Sequence, residues 1–172
     1  MSPPVRRGSL FIPWHTWPWA ALLGYHGIVS IAWLRRLPWT FWLLIGLVFL
    51  LYVPSLAYGF VSWDDELLIT RNPLLRLPLF AMIGKAFMSY DPELYAPLTT
   101  FSYGLQYKAV GLWAPAYHAV SVGLHLIATG LTYVILERLT GKQRLAFASA
   151  LLWAVHPLNV EAVTWISARK DL

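Results

Sequence analysis

The sequence predicts an all-α protein, a multi-pass transmembrane helical bundle, and three observations point there. Hydrophobic residues make up 58% of the 172 and charged residues only 12%, about half the charged share of a soluble domain. A soluble fold with so little polar surface could not cover its own core, so the apolar excess must face lipid. Between Arg36 and Asp64 no residue is charged. Ten Trp and nine Tyr are the rings that gather at membrane–water interfaces.

Taken in order, residues 1–38 form an N-terminal extension or interfacial segment. Trp17 to Leu34 is apolar but interrupted by His26, two Gly and a Pro. Three readings stand for it: a span, a stretch lying in the interface, and a stretch upstream of the true translation start. No small-x-small cleavage site follows its apolar core, so it does not read as a signal peptide.

Residues 39–60 are the clearest span. As a helix they would run roughly 33 Å, enough for a hydrocarbon core of about 30 Å. Arg35 and Arg36 precede it, so the positive-inside rule sets that end in the cytoplasm. Residues 61–114 then read as a long external loop rich in acids: Asp64, Asp65, Glu66, Asp91 and Glu93. Two stretches in it, Pro78–Met88 and Pro97–Val110, read as amphipathic helices lying on the membrane surface.

Residues 115–136 are the second span, followed by Arg138, Lys142 and Arg144 in a short cytoplasmic connection. Residues 145–155 re-enter the membrane. His156-Pro157 interrupts them, and Pro157 starts a new helical segment to about Ala168. Residues 156–172 read as a second external loop. No internal repeat is visible, and the stop after Arg169-Lys170-Asp171 reads as a fragment or the first part of a longer protein. The expected location is integral to the membrane: the inner membrane of a bacterium, or the endoplasmic reticulum of a eukaryote.

The chain has no Cys, which excludes a disulfide framework and a thiolate metal site. Its net charge of +5 comes from short basic clusters beside apolar runs rather than one patch, which argues for topology signals and against nucleic acid.

Three groups of residues could carry chemistry. Ser62-Trp63-Asp64-Asp65-Glu66 puts three consecutive acids at a membrane exit. Such a cluster supplies a general base for a hydroxyl and a carboxylate for a metal or substrate, or simply caps a helix. His118, Ser121, His125, Thr129 and Thr132 share one helical face of the second span, and interhelical hydrogen bonding is the favoured use. The two His, seven apart, do not fit one shared metal, because zinc on a helix favours four-residue spacing. His156, Glu161, Arg169, Lys170 and Asp171 form the third group. Cations on the external side run against the positive-inside trend, and an anionic ligand such as a lipid-carrier phosphate would account for them. Pairing with Glu161, Asp171 or lipid head groups is the alternative.

These residues resemble a known family. Phe60-Val61-Ser62-Trp63-Asp64-Asp65 is similar to the acidic motif after the first span of GT-C glycosyltransferases. Tyr95-Ala96-Pro97-Leu98-Thr99-Thr100 with Tyr103, then Tyr117-His118 with His125, then His156-Pro157-Leu158-Asn159-Val160-Glu161-Ala162-Val163 ending in Arg169-Lys170-Asp171, look like its TMTC branch, closer to the bacterial members. In that branch a GT-C membrane domain is followed by tetratricopeptide repeats. The likeness covers residues 39–172 and makes them the N-terminal part of an incomplete GT-C-like membrane domain. Residues 1–38 match nothing.

The resemblance implies transfer of a sugar, mannose in this branch, from a polyprenyl-phosphate donor to a protein hydroxyl on the non-cytoplasmic side. By analogy Asp64 or Asp65 is the general base and Glu66 its neighbour. Arg169 and Lys170 hold the donor phosphate, and His156 and Glu161 shape the site. The implied partners are membrane lipid, the lipid-linked sugar and a protein acceptor. A divalent cation is an open option as cofactor. Ala96 departs from the family, where many members carry a larger polar or aromatic residue. The few spans also lead to an expectation that this chain alone is inactive and poorly stable, with the polar stripe of its second span facing lipid. A non-enzymatic membrane scaffold or transporter component using His118 and His125, and an inactive gene fragment, are the competing readings.

Overall fold

The computed structural model describes residues 37–88 and 95–172. The readings of residues 1–36, and the acids Asp91 and Glu93, lie outside the described residues. Every regular element among the described residues is helical.

The first helix, α1 (Trp39–Tyr52), has no charged residue and no side-chain cap. A helix suits it because in lipid each backbone N–H and C=O must find its partner within the segment. Pro54, which has no N–H to continue an α-helical ladder, falls in the first turn of a 3-10 stretch, Val53–Ala57. Together they form an apolar helical run of 19 residues, Trp39–Ala57. One stripe at four-residue spacing, Thr40, Leu44, Val48 and Tyr52, is buried, while Trp42, Leu43, Leu47 and Leu50 face outward.

The chain next makes a turn of π-helix (Glu66–Thr70), a 3-10 turn (Pro73–Arg76) and two surface helices, α2 (Leu79–Met88) and α3 (Pro97–Val110). Asn72 holds this segment in shape: its Oδ1 accepts from Leu74 N at 2.8 Å while its Nδ2 donates to Leu68 O at 3.2 Å. Gly104 of α3 meets Met82 of α2 so closely that a Cβ there would overlap the Met82 sulfur.

Helix α4 (Ala114–Thr140) is 27 residues long, and Gly141, at φ 65° in the left-handed region, ends it. That conformation favours glycine because it has no Cβ. The helix starts one residue before the expected span and runs four beyond it. Its roughly 40 Å exceeds the hydrocarbon thickness, so it must tilt or emerge from the core. Helix α5 (Gln143–Ala154) returns antiparallel to α4, and α6 (Pro157–Thr164) follows at a bend of 62°. His156 starts α6 by accepting from Leu158 N through Nδ1 at 3.3 Å. The helix expected to reach Ala168 stops at Thr164 instead. Trp165 is extended (φ −98°, ψ 120°), and the chain closes in a 3-10 turn, Ile166–Asp171. Among the described residues two helical runs are long and apolar enough to cross a membrane, or three if the bent pair α5–α6 is one span.

Helices α1, α4 and α5 pack together. Thr40 and Tyr133 hydroxyls join the start of α1 to the end of α4 at 2.8 Å. At the far ends of α1 and α5, and near the middle of α4, Tyr52 Oη and His125 Nε2 both reach the Ala154 carbonyl, at 3.1 and 3.0 Å. Ala146, Ala150 and Ala154 are fully buried on one face of α5. Small side chains at four-residue spacing let helix backbones approach closely, which is how van der Waals packing holds helices together in lipid. This packing corrects one expectation. His118, Ser121, His125 and Thr129 are buried within the chain, not turned to lipid, because α5, α6 and the closing turn fold back over them.

Candidate functional site

The acidic turn after α1 and the 3-10 turn at residues 166–171 meet at one end of the bundle. Asp65 is 0% exposed. Its Oδ2 accepts from Val61 N and its Oδ1 from Ser167 N, both at 2.9 Å. Both carboxylate oxygens are thus engaged by backbone donors, one of them 102 residues beyond Asp65, and Asp65 pins one turn to the other. Neighbouring Asp64 is half-buried and engages no ion-pair partner among the described residues. Glu66 turns away to Arg71, at 3.1 Å across an exposed surface.

Arg169 is 4% exposed and sits in a polar cage built by α3 and α4. Its Nε donates to Ser121 Oγ at 3.2 Å and its Nη2 to the Tyr117 carbonyl at 2.8 Å. Its Nη1 donates to Ser102 Oγ at 3.1 Å and to Gln106 Oε1. These four bonds use four of the five guanidinium N–H groups. The guanidinium carbon also lies 4.7 Å from the centre of the Tyr103 ring, within cation–π range. Burial pulls the guanidinium below its ordinary pKa, but an arginine stays charged in such a site. Tyr103, its phenol donating to the Ile166 carbonyl at 2.6 Å, is pushed well above the ordinary phenol range, chiefly by burial. Lys170, next in sequence, is exposed, 3.9 Å from Asp171.

His118 lies beneath this junction at 1% exposure. Its ring stands edge-on to Tyr58 and beside the backbone of Gly59, within the field of Asp65 and Arg169. Neither of its ring nitrogens completes a hydrogen bond, and the buried Ser167 Oγ has no partner either. Buried polar atoms left unpaired are few in native folds and each calls for a reason. His125 leaves only Nδ1 without a partner: it stacks on Trp153 with centroids 5.4 Å apart and meets the Ala154 carbonyl through Nε2.

Of the residues singled out from sequence, Asp65 is joined through Ser167 to the turn that carries Arg169 and Lys170, and Asp64 precedes it in the chain. Glu66 faces Arg71, while His156 and Glu161 are exposed on and before α6. Sequence reasoning missed Ser102 and Gln106. They sit four residues apart on α3 and so share a face, but on an amphipathic helix that spacing reads equally as a solvated stripe. Among the described residues no group of three or more His, Asp or Glu side chains could hold a metal ion.

No protein-family model matches the chain, and no solved structure matches it. Several curated proteins do. A protein O-mannosyl-transferase of Caenorhabditis elegans is 33% identical over 141 residues, covering 76% of this chain and 20% of that protein. The protein O-mannosyl-transferase Tmtc1 of Drosophila melanogaster is 34% identical over 135 residues, covering 74% of the chain and 16% of that protein. TMTC2 of Homo sapiens, also a protein O-mannosyl-transferase, is 38% identical over 129 residues, covering 71% and 15%. The chain therefore spans a fifth or less of the length of these relatives.

Proposed function

We propose, from the premise that likeness to protein O-mannosyl-transferases supports a TMTC-type family for this chain, that it carries the acid-bearing part of a GT-C-type membrane glycosyltransferase. The reaction is transfer of a sugar, mannose by the relatives' names, from a polyprenyl-phosphate donor to a protein hydroxyl on the non-cytoplasmic side. The observation that carries this reading is the division of labour between the two adjacent acids. Asp65 has both oxygens held by Val61 and Ser167 N–H, whereas Asp64 is half-buried and its carboxylate has no partner among the described residues. A base must reach the proton it takes, and only Asp64 is free to do so.

In the proposed step, Asp64 accepts the proton of a Ser or Thr hydroxyl as that oxygen bonds to the sugar's anomeric carbon. The bond from that carbon to the phosphate oxygen breaks, and the electron pair leaves with the polyprenyl phosphate. Negative charge builds on the departing phosphate, where a fixed cation stabilises it. Lys170 is the exposed cation at the junction and serves that role. Arg169, caged by α3 and α4, sets the position of the turn that carries Lys170. His156 and Glu161, exposed beside the same end, remain candidates for shaping the substrate path.

The test is made in the complete gene product reconstituted with a polyprenyl-phosphate mannose and an acceptor peptide. Asp64→Asn is expected to lower transfer by at least 100-fold, the scale of a lost general base, with membrane insertion intact. Asp65→Asn is expected to act through loss of folded protein. Equal residual transfer in both variants at equal folded protein would remove the assignment.

A further inference from the structure

A second polar feature lies at the other end of the bundle and does not depend on the proposed activity. The starts of α1 and α5 diverge there, leaving a cleft of about 410 Å³ lined by Trp39, Thr40, Leu43, Gln143, Arg144 and Phe147. Its size falls in the range of small-ligand sites. Its composition is layered. Leu43 and Phe147 form an apolar wall, Trp39 stands exposed at the rim, and Gln143 and Arg144 supply donors at the mouth. Arg144 engages no acid among the described residues, and neither does Lys142 beside it. The first turn of α5 opens at the same place without a side-chain cap. Its unpaired N–H groups add to the positive field. Glu137 is the acid on the adjoining end of α4, seven residues before Arg144.

The distance from the first site is set by α4. Tyr117 touches Arg169 and Tyr133 touches Thr40, sixteen residues apart, or roughly 24 Å along the helix. The cleft therefore sits near the opposite membrane–water boundary, where a Trp rim and exposed cations match the layering of lipid: ring at the interface, charge at the headgroup, wall against the acyl chain.

We propose that this cleft binds the phosphate headgroup of an anionic phospholipid. Arg144 grips the phosphate, Gln143 and the first turn of α5 donate to it, and the lipid's glycerol and upper chain lie against Leu43 and Phe147. A free phosphate shares the charge chemistry but would leave the apolar wall uncovered.

The proposal is tested on the full chain purified in nanodiscs of equimolar phosphatidylglycerol and phosphatidylcholine, with retained lipids counted by native mass spectrometry. Wild type is expected to retain one phosphatidylglycerol in preference to phosphatidylcholine. Arg144→Gln and Lys142→Gln should each reduce that preference roughly five-fold, the scale of one juxtamembrane cation. Arg144→Lys should restore most of it. Both positions are exposed, so the variants should fold, which circular dichroism would check. Equal retention of the two lipids, or no change in Arg144→Gln, would overturn the proposal. Displacement of the lipid by millimolar inorganic phosphate would overturn the lipid assignment.

Discussion

Replacing Arg169 with Gln should be among the most damaging single changes in this chain, and the structure allows the size to be worked out. Arg169 joins the closing turn to α3 through Ser102 and Gln106 and to α4 through Tyr117 and Ser121. Hydrogen bonds to a charged group are worth about 1.5–3 kcal/mol each, but four such values cannot be added, because the bonds share one desolvated cation. The relevant quantity is the cost of leaving the buried neutral acceptors around it without a donor, about 1–3 kcal/mol each. Gln reaches one or two of the partners and leaves the others unmet, which places the loss at about 3 kcal/mol. The assay is unfolding of the purified chain by SDS titration in mixed micelles, followed by circular dichroism, with Lys170→Gln as comparison. Lys170 is exposed, and its contact with Asp171 is long at 3.9 Å, so its loss should stay within about 0.5 kcal/mol. A loss below about 1 kcal/mol for Arg169→Gln, or equal losses at the two positions, would refute the view of Arg169 as the clamp of the junction.

Other consequences follow from the packing. Asp65→Asn should cost about 1–3 kcal/mol in the same titration, since one backbone N–H would then face an amide NH₂ instead of an acceptor. Asp64→Asn should be near neutral, and the reverse order would show that the wrong acid has been called structural. Gly104→Ala drives a Cβ into buried Met82 and should cost about 1–3 kcal/mol; an unchanged midpoint would mean that α2 moves away freely. Ala150→Leu, in the fully buried Ala stripe of α5, should push α5 off α4 at a similar cost, read as a lower thermal midpoint in detergent.

The membrane elements were legible because they depend on local chemistry. A charge-free run such as Trp39–Ala57 has few alternatives to a helix in lipid. The break at His156-Pro157 follows from a missing backbone donor. The shared face of His118, Ser121 and His125 follows from helical periodicity. What was not legible depends on the chain returning on itself. Nothing local marks Arg169 as buried, since Arg-Lys-Asp near an outer boundary reads as a solvated tail, and only the extended Trp165 turns it inward. The two acids look equivalent in sequence. They differ because Ser167, 102 residues later, supplies the second donor to Asp65. The same return covers the polar stripe, for which the sequence favoured interhelical hydrogen bonds without naming their partners, and for which the few spans had suggested exposure to lipid.

The most direct test of the central claim is sugar transfer by the complete gene product carrying Asp64→Asn, measured with its unfolding midpoint against wild type. Transfer is expected to fall by at least 100-fold while the midpoint stays unchanged. Transfer that survives in Asp64→Asn at a normal midpoint would contradict the account and remove Asp64 as the base.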